Sequence, residues 1–189
     1  MKRIIIGMSG ASGLPYGIRL LETLAELPDI ETHLVMTSAA RLNIGIETDH
    51  SIADVEALAD TVHNIKDIGA SIASGSFRTD GMIVAPCSMR TLSAITHSYA
   101  DNLLVRAADV VLKERRRLVI MPRETPLHTG HCKLFYEVSL LGAILAPPIP
   151  AFYNRPQTLA DIVNASIGRA LDLFDIDPGM VQRWEGVHG

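Results

Sequence analysis

The run Gly7-Met8-Ser9-Gly10-Ala11-Ser12-Gly13 gathers three glycines and two serines in seven residues. Glycine lets a backbone approach a ligand, and the first amides of a following helix carry the positive end of its dipole. Between a strand and a helix, such a run is built to hold an anion, most often a phosphate. Ser9 and Ser12 would add hydroxyls to the same group. Two further runs have the same polar, charged character: Cys87-Ser88-Met89-Arg90-Thr91 and Pro122-Arg123-Glu124. Other reactive types read more plainly. Cys87 follows Pro86 with no histidine at a telling spacing, which fits a buried thiol better than a nucleophile. His128 and His131 stand three apart, a spacing that can chelate zinc, but lack further ligands close by and read as surface or interface residues. Arg115, Arg116 and Arg117 read as a solvated basic face at a helix end.

These residues need elements to position them. Ile4-Ile5-Ile6 ahead of the glycines reads as a strand buried on both faces. Behind them, Ile18, Leu20, Leu21, Leu24 and Ala25 recur at helical spacing. Strand patterns at Thr32–Met36, Met82–Ala85, Leu118–Met121 and Ala143–Ala146 alternate with helix patterns. The helices fall at Ala39–Ile44, from Ser51 to Ala59, beyond Thr91 on the face of Leu104, Ala107, Ala108 and Val111, at Leu134–Leu141 and at Leu159–Phe174. Residues 62–76 carry no clear pattern. Strand–helix alternation predicts an α/β fold with a doubly wound parallel sheet, a Rossmann-like or flavodoxin-like three-layer sandwich. Ligands of such sheets bind beyond the carboxyl ends of the strands, where the three polar runs converge. A nicotinamide dinucleotide would need an acidic residue closing the second strand. Thr37-Ser38 stands there instead, and its hydroxyls suit a phosphate or a flavin ring edge.

The 189 residues suit one domain, 1–189, and carry a net charge of −4. No basic field points to nucleic acid, and no apolar stretch approaches a membrane span. A core strand at the start leaves no signal peptide, and two cysteines fit a reducing, cytoplasmic location.

Taken together, Met8–Gly13, Glu47-Thr48-Asp49, Ser74-Gly75-Ser76, Pro86–Thr91, Arg106–Val110, Lys113–Arg116, Pro122–Leu127, Phe152-Tyr153, Arg169 and Arg183-Trp184 resemble the UbiX-type flavin prenyltransferases. The resemblance runs from residue 3 to about 185. It implies transfer of a dimethylallyl group from dimethylallyl monophosphate to reduced FMN, first at N5 and then by ring closure at C6, without a metal. The prenylated FMN would pass to a UbiD-type aromatic acid decarboxylase. Contacts to FMN are implied for Gly10, Ala11, Ser12, Thr37, Ser88, Met89, Arg90, Thr91 and Arg123. Tyr153 and Arg169 are implied for the isoprenyl phosphate, with Arg106, Lys113 and Glu124 brought near it from neighbouring subunits. Glu47 matches a glutamate close to the reacting flavin nitrogen, and Trp184 an aromatic over the site. Glu124 is the expected proton relay, with Ser12 orienting the groups. Where the family usually has serine, position 37 is threonine, and Arg90 replaces glycine or lysine. The resemblance also implies trimers assembling into a homododecamer. The rival readings are an FMN-dependent decarboxylase, including the cysteine decarboxylases of the wider superfamily, and a non-catalytic FMN-binding subunit. The cations Arg106, Lys113 and Arg169 argue against a cysteine decarboxylase, whose chemistry needs no phosphate clamp.

Overall fold

The computed structural model describes residues 1–184 and 186. In chain order come β1 (Lys2–Met8), α1 (Leu14–Ala25), β2 (Ile30–Met36), α2 (Ser38–Glu47), α3 (Ile52–Ala57), β3 (Thr61–His63) and β4 (Gly81–Cys87). They are followed by α4 (Met89–Thr96), α5 (Leu103–Lys113), β5 (Arg117–Pro122), α6 (Thr129–Leu140), β6 (Ile144–Leu145) and α7 (Leu159–Asp172). Short 3-10 turns sit at Ser71–Ala73 and Phe152–Asn154.

The strands lie in the order β3-β2-β1-β4-β5-β6, every neighbouring pair parallel. Because side chains alternate across a strand, β1 feeds two cores. Ile4, Ile6 and Met8 join Leu14, Leu21 and Leu171 on the side of α1 and α7. Ile5 joins Val84, Leu104 and Ala108 on the side of α4 and α5. The result is the three-layer α/β sandwich expected of continuous apolar strands separated by amphipathic helices. The strand order reverses between β1 and β4, which opens a crevice above their carboxyl ends.

Three local expectations change. Residues 61–63, overlapping the start of the stretch that carried no clear pattern, form the edge strand β3, registered on His33 to Val35 of β2. The helix beyond Thr91 is two helices, because the chain turns between Thr96 and Leu103 and Ser98 takes a positive φ of 52°. Asn102 then starts α5 afresh, its side chain accepting from the Val105 amide. The strand at Met82–Ala85 continues through Pro86 to Cys87, all of it buried.

Candidate functional site

Three helices begin at one place. Thr37 caps α2, Ser88 caps α4 and Asn102 caps α5, each side-chain oxygen accepting from the third amide of its helix. Among the described residues, the first two amides of α2 and α4 have no hydrogen-bond partner. Between these helix starts lies a cavity of about 480 Å³ lined by Gly10, Thr37, Ser88, Arg90 and Thr91. Ser38, whose hydroxyl was expected here beside that of Thr37, completes its wall with Ala39, Ile65, Lys66, Asp101 and Asn102, which were not anticipated. The signal for Asn102 was its place at a helix start; Ile65 and Lys66 arrive through β3, which had no clear pattern.

Gly10 sits at this cavity because nothing larger fits. A Cβ there would lie 2.3 Å from the Cβ of Ala39, so the glycine turn and the start of α2 touch. Gly13 takes φ 114°, a left-handed conformation that favours glycine, and turns the chain into α1.

The two serines of the glycine run divide. Ser9 is fully buried. Its hydroxyl donates to the Pro86 carbonyl at 3.1 Å and accepts from the Ser88 amide at 2.7 Å. Ser9 therefore stitches the end of β1 to the end of β4 and does not offer its hydroxyl to a ligand, which corrects the sequence expectation. Ser12 is exposed on the turn, beside nearly buried Ala11. The anion expected at the start of α1 is also already supplied. Glu47, at the end of α2, accepts from the Gly13 amide at 2.8 Å and the Leu14 amide at 3.0 Å. A carboxylate at a helix start satisfies orphan amides and the dipole together. The open amides lie instead on α2 and α4.

Met89 opens α4 with its side chain half-buried against the core on that side, which leaves its backbone for a ligand. Arg123 and Glu124 follow β5 and are exposed. The Arg123 amide donates to the Cys87 carbonyl at 3.1 Å, and Glu124 accepts from the Thr125 amide at 3.0 Å. Cys87 itself is fully buried, and burial pushes its thiol far up, so it is not a thiolate. His128 caps α6 by accepting from the Gly130 amide and stacks on His131, ring centroids 3.7 Å apart.

The implied donor-site residues do not meet the cavity within one chain. Arg106 lies along α5, pairing with Asp109 at 2.7 Å and donating to the Ala73 carbonyl. Lys113 ends α5, paired with Glu114. It lies eleven positions beyond Asn102, roughly 16 Å along the helix. Tyr153, Arg169 and Trp184 do come together, but where α7 meets the loop that follows β6. Tyr153 and Arg169 line one pocket of about 110 Å³, and Trp184 stands edge-on to Tyr153 with ring centroids 5.6 Å apart. One chain thus carries a cavity of about 480 Å³ at its strand ends and a separate cationic and aromatic cluster.

The fold and its strand-end site define a flavoprotein, and a family model described as Flavoprotein matches residues 1–163. The flavin prenyltransferase UbiX of Escherichia coli K12 is 56% identical over 188 residues, covering 98% of this chain and all of that one. The crystal structure of AnUbiX (PadA1) in complex with FMN and dimethylallyl pyrophosphate superposes with a TM-score of 0.96 at 51% identity over 98% of each chain. A dodecameric FMN-dependent UbiX-like decarboxylase from Escherichia coli O157:H7 gives 0.95 at 53% identity, over 97% of this chain and all of that one. The chain belongs to the UbiX flavin prenyltransferase family.

Proposed function

We propose that this protein transfers a dimethylallyl group from its phosphate ester to reduced FMN and releases prenylated FMN. The observation that carries the reading is the near full-length identity of 56% to a flavin prenyltransferase, joined to a strand-end cavity of fitting chemistry. FMN fits that cavity on three counts. Gly10 admits close backbone approach, the starts of α2 and α4 offer open amides, and Thr37, Ser88 and Thr91 offer hydroxyls. Lys66 and Arg90 add positive charge at the wall. Reduced FMN supplies the electron-rich nucleophile that captures the allyl group.

The chain's own residues do the rest. A phosphate ester of dimethylallyl alcohol carries close to two negative charges, and C–O cleavage leaves both electrons on the phosphate. Arginine grips such a group bidentately, and preorganised cations stabilise the charge as it departs. Arg169 is the cation beside Tyr153, and Arg106 and Lys113 reach the same donor from a neighbouring copy. The allyl fragment is cation-like, and the π-faces of Tyr153 and Trp184 stabilise it. Ring closure at C6 releases a proton, for which Glu124, exposed beyond β5, is the acceptor, with Ser12 orienting the groups.

Assembly of several copies completes the site, because the cavity and the α7 cluster lie apart in one chain. Exposed apolar residues support it: Leu42 and Ile46 on α2, Tyr136 and Leu140 on α6, Ile149 and Phe152 before α7. The relative described as dodecameric supports that number here. The product then serves a UbiD-type decarboxylase, in the cytoplasm. No helix among the described residues is long and apolar enough to cross a membrane.

Anaerobic incubation with reduced FMN and dimethylallyl phosphate, followed by mass measurement of the extracted flavin, tests the reading. A gain of one C5 unit is expected. Bound flavin of unchanged mass would leave only an FMN-binding protein.

A further inference from the structure

Past α7 the chain returns alongside the helix, and its path is set by four contacts. Val181 crosses at Gly168, where an added Cβ would lie 2.6 Å from Val181 Cγ2. Met180 packs on the core shared by α1 and α7 and accepts from the Thr23 hydroxyl at 3.8 Å. The Arg183 guanidinium then grips Asp172 as a fork, Nη1 to Oδ2 at 2.7 Å and Nη2 to Oδ1 at 2.8 Å. Its Nη2 also reaches Asp177 Oδ2 at 2.8 Å. One residue further, Trp184 meets Tyr153 edge-on, the rings inclined by 77°.

Asp172 serves two arginines at once. Arg169, one helical turn back, donates from Nη1 to Asp172 Oδ2 at 2.5 Å. The Asp172 side chain is only 14% exposed, whereas that of Arg169 is 64% exposed. The carboxylate is therefore the fixed point, with one guanidinium ordering the tail and the other standing at the pocket shared with Tyr153. A fork pair fixes the plane of the guanidinium and so limits where the next residue can lie. Hydrogen bonds from Arg183 hold the Asp172 carboxyl below the usual carboxylate range, so the clamp is charged at neutral pH.

We propose that Asp172 and Arg183 are positioning residues for allyl transfer: their clamp seats Trp184 against Tyr153 and sets the direction of Arg169. The inference rests on the reading above, in which Tyr153, Trp184 and Arg169 meet the donor. Neither Asp172 nor Arg183 touches the reacting atoms. They act by geometry, and small misplacements of groups that orient a substrate are costly in rate. Neither Asp172 nor Arg183 lines the flavin cavity, so substitutions there leave its glycine turn, open amides and hydroxyls intact.

Trp184 is the chain's single tryptophan, and its fluorescence reports the seat directly. In the purified assembly, Arg183→Gln is expected to red-shift that emission and make it more open to acrylamide quenching. FMN affinity stays within about twofold, while kcat/KM for dimethylallyl phosphate falls about tenfold or more. Arg183→Lys, which keeps the charge but not the fork, falls between. Asp172→Asn gives the same paired losses. A freed Trp184 with wild-type turnover would overturn the proposal, and so would unchanged emission in both Arg183→Gln and Asp172→Asn. Wild-type protein that forms no prenylated flavin would remove the underlying reading instead.

Discussion

Glu47 holds the start of α1 from 33 residues away, and that contact decides what the glycine turn can do. With the Gly13 and Leu14 amides taken, the turn contributes shape, while α2 and α4 contribute the open amides. Glu47→Ala removes a carboxylate from a helix start, at a cost of about 1 kcal/mol. The melting temperature should drop by roughly 2–4 °C in a calorimetric scan. Among the described residues, exposed Glu124 makes one local contact, accepting from the amide of the next residue. Glu124→Gln should bind FMN normally and form the four-ring flavin at least about a hundredfold more slowly, as followed by mass. Wild-type yields from that variant would move the proton relay to another group. Ser9 shows how far a motif can mislead at this scale. Its hydroxyl belongs to the scaffold, since an unpaired buried Ser88 amide would be costly.

β3 is three residues long and forms the sheet edge, yet it carries a buried polar chain. His63 Nε2 and His33 Nδ1 stand 2.9 Å apart, and His33 Nε2 lies 3.1 Å from Glu31 Oε1. Arg3 closes the chain on Glu31 at 2.7 Å. Burial first, and then the facing His33, push the His63 pKa below its ordinary 6.5, with Asp67 opposing. His63 is therefore neutral in the folded state where the unfolded chain still takes up a proton. Stability is full above about pH 6.5 and falls as the pH drops from there toward the lowered value. Urea midpoints measured between pH 7.5 and 5.5 should decline for wild type and flatten for His63→Gln. A parallel slope in that variant would assign the effect elsewhere. The same strand leads into Ile65, whose carbonyl accepts from the first amide of α5 at 2.9 Å, so this edge also forms one wall of the cavity. Its pattern was not legible because one of three residues is a histidine buried only by virtue of a partner on β2. The long strands and α1 were legible, since apolar spacing there reports burial directly.

At the scale of the molecule, the two halves of the implied site lie apart in one chain. A reaction that needs both therefore draws them from different copies. Gly10→Val would drive a side chain into Ala39 and should abolish flavin binding, while Arg169→Ala would remove the cation proposed for the donor phosphate. Each protein alone should be inactive. Dissociated and reassembled together, they should regain measurable turnover, because some pairings carry one intact half from each chain. No recovery on mixing would place the whole site within a single chain.

Sequence by itself determined the α/β alternation, the parallel sheet, the strand-end location of the cavity and the family to which the chain belongs. These follow from local information: apolar period, turn residues and motif spacing report the backbone they sit in. Tertiary structure decided the partners. It gave the amides of α1 to Glu47, buried the Ser9 hydroxyl between β1 and β4, separated α4 from α5 by a turn at 97–102, and tied Arg183 to Asp172. A side chain's partner depends on what the folded chain brings beside it from far away, and residue types in sequence carry no record of that distance.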